Sequence, residues 1–231
     1  MIINHRYKFI FIKTRKTAGT SVEIALSKFC DGDDIVTPIS PVDEAKRQQL
    51  GYPGAANYGI AKRYYSKLDW LKLGLKFEPK RFFNHAPAEY IRDHIDPDIW
   101  NSYYKFSIER NPFDKAISRY FWSTREPRPT MLEFFNTAPI EFITNWGSYT
   151  IADHIVADKV ARFEHLADDL ATIGRDIGLP EPLSLPMTKG GSRKNREHYS
   201  HVLNGDDRAR IERVCAKEIA AFGYQWTDAS D

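Results

Sequence analysis

Phe9-Ile10-Phe11-Ile12-Lys13-Thr14-Arg15-Lys16-Thr17-Ala18-Gly19-Thr20-Ser21 is the stretch that decides the fold. Its first four residues are aromatic or β-branched and predict a buried strand. Beyond it, Val22, Ala25, Leu26 and Phe29 recur at helical spacing and predict an amphipathic helix. A strand, a short loop of small and hydroxylated residues around Lys16, and a helix N-terminus make an anion cradle. Orphan N–H groups and the positive end of the helix dipole face one point. A nucleotide phosphate is the expected ligand. Taken alone, the loop also reads as an ordinary strand-to-helix turn capped by Thr and Ser.

The residue order narrows the ligand. The phosphate loop of ATP- and GTP-hydrolysing enzymes places Lys directly after its last Gly. Here the loop's Gly19 comes three residues after Lys16, so that loop is missing. A second motif lies downstream. Tyr104 to Ile108 alternates apolar with polar residues and predicts a strand. Asn111 suits an N-cap and Pro112 a first helical position, and Phe113, Ile117, Tyr120 and Phe121 supply a buried helix face. Arg110 then stands at the strand tip, with Ser118 two turns into the helix. An Arg fork and a Ser hydroxyl can converge on one phosphate. For either residue alone the alternative is an Arg paired with Glu109 or Asp114 and a Ser merely tolerated.

Both motifs resemble those of sulfotransferases that use 3′-phosphoadenosine 5′-phosphosulfate (PAPS), specifically small bacterial members of the carbohydrate-type branch. Lys16-Thr17-Ala18-Gly19-Thr20-Ser21 is similar to the family's 5′-phosphosulfate loop, and Arg110 to Ser118 to its 3′-phosphate motif. Arg162-Phe163-Glu164 and the end from His198 to Tyr224 resemble later units of the same family. The resemblance implies an α/β, P-loop-like three-layer fold with a central, mainly parallel sheet flanked by helices. It implies one domain over residues 1–231, with a variable acceptor-binding segment near 31–83. It assigns donor binding to Arg15, Lys16, Thr17, Ala18, Gly19, Thr20, Ser21, Arg110 and Ser118, and adds Arg193 and Lys194 from a basic loop. Arg15 departs from the pattern, which often has Pro before the Lys. The product would be 3′,5′-bisphosphoadenosine (PAP), and the acceptor a carbohydrate or glycoconjugate hydroxyl.

Sulfuryl transfer needs a cation at the charge that develops on the leaving phosphate, and a base for the acceptor hydroxyl. Lys16 suits the first task, worth on the order of 3 kcal/mol. His85, in Phe83-Asn84-His85-Ala86-Pro87 at an expected strand-to-helix junction, suits the second. The alternative for His85 is a structural or capping role, with Glu89 and His94 as the other candidate bases. No metal-ligand spacing is present, and no metal is expected.

Length and composition fit this frame. The 231 residues are 42% hydrophobic and 28% charged, as in ordinary globular domains. A net charge of +2 gives no general case for nucleic acid. Cys30 and Cys215 fall on expected apolar helix faces and are too few for a disulfide framework. No apolar run approaches the ~20 residues of a membrane span, and the short N-terminal run lacks signal-peptide architecture. A cytoplasmic enzyme is therefore expected. In the irregular segment, Tyr64, Tyr65 and Trp70 could stack on a sugar, with Lys62 and Arg63 meeting an acidic group. Equally, they could pack an amphipathic helix against the domain. Two other classes compete with the sulfotransferase. A P-loop small-molecule kinase would need Mg²⁺ and Lys after Gly, and a non-catalytic nucleotide-binding module would need no base.

Overall fold

The computed structural model describes residues 1–137, 140–186 and 197–229. In chain order the elements are β1 (Ile2–Asn4), β2 (Phe9–Phe11), α1 (Gly19–Ser27), β3 (Ile35–Val36), α2 (Pro41–Gln49), α3 (Lys67–Lys76), α4 (Ala88–Arg92), α5 (Pro97–Ser102) and β4 (Tyr104–Glu109). They continue with α6 (Pro112–Ser123), α7 (Met131–Thr137), α8 (Trp146–Tyr149), the hairpin β5 (Thr150–Ile151) and β6 (His154–Ile155), β7 (Lys159–Arg162), α9 (Leu166–Asp176), α10 (Tyr199–Val202), α11 (Gly205–Val214) and α12 (Ala216–Phe222).

Five strands form a central sheet in the order β3-β1-β2-β4-β7. β2, β4 and β7 are parallel neighbours, with Phe11 opposite Phe106 and Ile108 opposite Ala161. β1 runs antiparallel to both β2 and β3, so β3 shares the direction of the other three strands. The result is a mixed α/β fold with a mostly parallel sheet. Strand side chains alternate between two buried faces. Ile2, Phe9, Phe11, Phe106 and Ile108 meet Val22 and Leu26 of α1 and Leu170 and Ile173 of α9. Ile3, Ile10 and Ile12 meet Ile91 of α4 and Phe82 on the other face. A third cluster joins Phe113, Ile117 and Tyr120 of α6 to Phe134 and Phe135 of α7 and Ile211 of α11.

Local chemistry sets the helix starts that matter here. The Asn111 side chain accepts from the Phe113 N–H, and Pro112 occupies the first helical position of α6. Ser40 and Pro41 open α2 in the same way. The segment near 31–83 is more regular than its Pro and Gly content suggests, since it contains β3, α2 and α3. Cys30 and Cys215 are buried free thiols. They sit just beyond α1 and between α11 and α12 rather than within helix faces. Among the described residues, no helix is long and apolar enough to cross a membrane.

Candidate functional site

Three loops leave the C-terminal ends of the adjacent parallel strands β2, β4 and β7, where open α/β sheets place ligands. After β2 comes Lys13 to Ala18, after β4 comes Arg110, and after β7 comes Phe163. Together with α6 they line a cavity of about 550 Å³. Arg15, Lys16, Ala18, Gly19, Thr20, Ser21, His85, Arg110 and Ser118 all reach its wall. No described acidic side chain lines it.

The loop is bent by two non-glycine residues in the left-handed region, Lys16 at φ 63° and Ala18 at φ 60°. Such residues cost about 1–2 kcal/mol each and gather at functional sites. Gly19 lets the loop close on itself. A Cβ there would lie 2.9 Å from Lys13 Cγ and 3.3 Å from the Thr14 carbonyl oxygen. Lys13 cannot step aside, because its buried ammonium pairs with Glu23 at 2.6 Å. Thr17 is the exception among the loop residues. It is fully buried, and its Oγ1 lies 2.8 Å from Thr14 Oγ1, so its hydroxyl braces the loop instead of lining the cavity. Thr14 Oγ1 in turn donates to the Ile108 carbonyl, tying the loop to β4.

Arg110 is held by its surroundings. Its guanidinium carbon stands 4.2 Å from the centroid of Phe163, and Nη1 donates to the Lys16 carbonyl at 3.5 Å. Glu109 does not pair with it through side chains. That carboxylate is fully buried and accepts from Lys115 Nζ at 2.6 Å, from Tyr149 OH at 2.8 Å and from the Arg110 N–H at 2.8 Å. Burial and Glu109 hold the Tyr149 phenol protonated, well above its ordinary range. Lys16 Nζ lies 5.2 Å from the Trp122 ring centroid.

His85 sits in a turn before α4, not at the end of a strand. Its Nδ1 is 3.1 Å from the Lys13 carbonyl oxygen. A carbonyl only accepts, so Nδ1 carries the proton and Nε2 keeps its lone pair. Burial, reinforced by Lys13, pushes its pKa down to about 4, so the ring is neutral at pH 7. Glu89 and His94 do not reach the cavity. Glu89 is exposed and pairs with Arg92, and His94 Nδ1 lies 2.6 Å from the Tyr90 carbonyl. Tyr64, Tyr65 and Trp70 also stand away from it. Tyr65 packs on Trp70 at 5.5 Å, and its hydroxyl accepts from the Lys80 N–H. Arg193 and Lys194 lie outside the described residues, and Leu185 and Pro186, which line the cavity, are the last residues described before them.

Three contributors escaped sequence reading. Arg119 lines the cavity, stacked 4.9 Å from Trp122 and 5.3 Å from Phe142. Its Nε is buried without a hydrogen-bond partner among the described residues. Burial and the nearby Arg15 lower its pKa below the ordinary guanidinium value. Trp122 is one turn beyond Ser118, a spacing that would have placed it on the same helix face. Asn145 grips the Arg15 backbone from 130 residues away. Its Oδ1 accepts from the Arg15 N–H and its Nδ2 donates to the Arg15 carbonyl, each at 3.0 Å. No local signal marks that residue.

Fold and cavity define an α/β protein with a cation-rich pocket at the carboxyl edge of its sheet. The chain is similar to an uncharacterized protein of Archaeoglobus fulgidus, 30% identical over 123 residues that cover 51% of this chain and 99% of the other. The two belong to one family. No family model and no solved structure matches.

Proposed function

We propose that this chain is a PAPS-dependent sulfotransferase of P-loop-like architecture acting on a carbohydrate or glycoconjugate hydroxyl in the cytoplasm. The observation that carries the reading is the meeting of two anion-binding motifs in one cavity that no described acidic side chain lines: the Lys16 loop with the α1 N-terminus, and Arg110 with Ser118. The cavity volume falls within the roughly 300–1,000 Å³ range of small-molecule sites. The Arg119 Nε, buried without a hydrogen-bond partner among the described residues, fits an anionic occupant.

When bound, the donor supplies an activated sulfuryl group on a phosphate leaving group. Arg110 and Ser118 would hold its 3′-phosphate, and Lys16, Ala18, Gly19, Thr20 and Ser21 its 5′-phosphate. His85 Nε2 takes the acceptor hydroxyl proton as that oxygen bonds to sulfur and the sulfur–oxygen bond to phosphate breaks. Lys16 offsets the charge left on that phosphate. The low pKa of His85 keeps it proton-free, and a nearby anionic donor raises its basicity toward neutrality.

Calorimetric titration tests the reading. PAP should bind without metal, and AMP, lacking the 3′-phosphate, should bind at least about tenfold more weakly. Preference for ATP with Mg²⁺, or no nucleotide binding, overturns it. With PAPS and an accepted hydroxyl, Lys16→Ala should lower kcat by about 10²–10³ with an unchanged circular dichroism spectrum.

A further inference from the structure

The helix α3 turns its apolar stripe the wrong way for a folded core. Leu68, Leu71 and Leu75 recur at i, i+3 and i+7, so they share one face. That face is open to solvent, with Leu68 58%, Leu71 55% and Leu75 72% exposed. The opposite face docks the helix on the molecule. There Asp69 pairs with Lys80 at 2.6 Å, and Leu73 is half-buried. Ser66 and Asp69 form a complete capping box, so the helix is well started at its N-terminus. At the C-terminal end Phe77 takes a left-handed φ of 54° and is 85% exposed. Gly or Asn would serve that turn with less strain, so local structure does not explain an aromatic residue there.

Charge identifies what covers this face. At about 100° per residue, Lys72 and Lys76 flank the leucine stripe on one side and Lys67 on the other. None of these three lysines is ion-paired with a described residue. Between positions 62 and 80 there are six basic residues and two acidic ones, in a chain whose net charge is only +2. One of the two acids, Asp69, is already neutralised by Lys80. Exposed leucines at the centre, lysines on both flanks and exposed Phe77 at the end of the helix form the pattern of a helix lying in a membrane interface. The lysines on both sides of the stripe match the phosphates of an anionic lipid surface.

We propose that α3 docks on an anionic bilayer surface, with Leu68, Leu71, Leu75 and Phe77 in the acyl boundary and Lys67, Lys72 and Lys76 at the lipid phosphates. The inference does not depend on the sulfotransferase reading. One short helix with three lysines gives reversible binding, strengthened by anionic lipid and weakened by salt.

Flotation of the full chain with vesicles tests it. Binding is expected to vesicles of phosphatidylcholine mixed with phosphatidylglycerol, and to be lost with phosphatidylcholine alone. The exposed double substitution Leu71→Glu/Leu75→Glu should lower the partition coefficient about tenfold or more, while circular dichroism, melting and PAP titration stay as in the parent. No flotation of the parent with anionic vesicles overturns the proposal, as does equal flotation of the double variant. Self-association of the parent in sedimentation velocity, abolished by the same substitutions, also overturns it and makes the face a contact between copies.

Discussion

At the scale of single residues, the loop is shaped by what cannot be added or moved. Gly19 has no room for a methyl group, since Lys13 and the Thr14 carbonyl occupy the space. Gly19→Ala should therefore cost about 1–3 kcal/mol in chemical denaturation and weaken PAP binding in calorimetry. Unchanged stability and affinity together would show that the loop relaxes freely. His85 carries a second prediction. Its folded pKa of about 4 lies below the ordinary 6.5, so between these values the unfolded chain binds more protons than the folded one. Stability is full above pH 6.5 and falls as pH drops toward 4. The loss is about 3 kcal/mol for this group. His85→Gln should flatten that part of the stability profile, measured by urea unfolding at a series of pH values. A variant that keeps the full slope would remove His85 as its cause.

Between elements, buried polar groups hold the site in register. Glu109 at the end of β4 takes hydrogen bonds from Lys115 of α6 and Tyr149 of α8. Glu218 of α12 accepts from Thr144 Oγ1 at 2.6 Å and from the Asn145 N–H at 3.0 Å. Asn145 links both carboxylates to the loop after β2 through Arg15. Glu109→Gln leaves the buried Lys115 without its nearest charge partner, the Glu218 oxygen being 3.9 Å away. It should cost about 3–5 kcal/mol, read as a fall in urea midpoint. Asn145→Ala removes both ties to Arg15. It should cost about 2 kcal/mol and lower donor affinity although Asn145 itself does not line the cavity. If donor affinity is unaffected, Asn145 is a packing residue only.

For the molecule as a whole, the sheet does two jobs. Alternating strand residues feed two cores on opposite faces, and the parallel trio β2, β4 and β7 brings three loops to one edge. The residues that line the cavity thus come from positions 13–16, 18–21, 85, 110, 118, 119, 122, 163, 185 and 186, far apart in the chain. The α3 face lies outside this cavity, so substitutions there and in the site should add independently. A Lys16→Ala variant should float with anionic vesicles as the parent does. Loss of flotation in that variant would mean that the cavity, not α3, meets the lipid.

Much was legible in the chain itself. The apolar β-branched run before Lys13, the small residues after it, and the Asn111-Pro112 start act through neighbours within a few residues, so sequence alone determined strand, loop and helix. Alternating and helical spacing likewise placed Arg110 at a strand tip and Ser118 on the following helix. What lay beyond reach depends on packing between distant segments. Sequence left three candidate bases open, and only the fold brought His85, rather than Glu89 or His94, to the cavity. Thr17 reads like its loop neighbours in the sequence, but its hydroxyl turns inward to Thr14. Asn145 meets Arg15, and α3 exposes its leucines, because of contacts that no local propensity encodes. Nearest-neighbour chemistry determines which elements form, and the burial of charge and apolar surface among remote elements decides which side chains face the cavity.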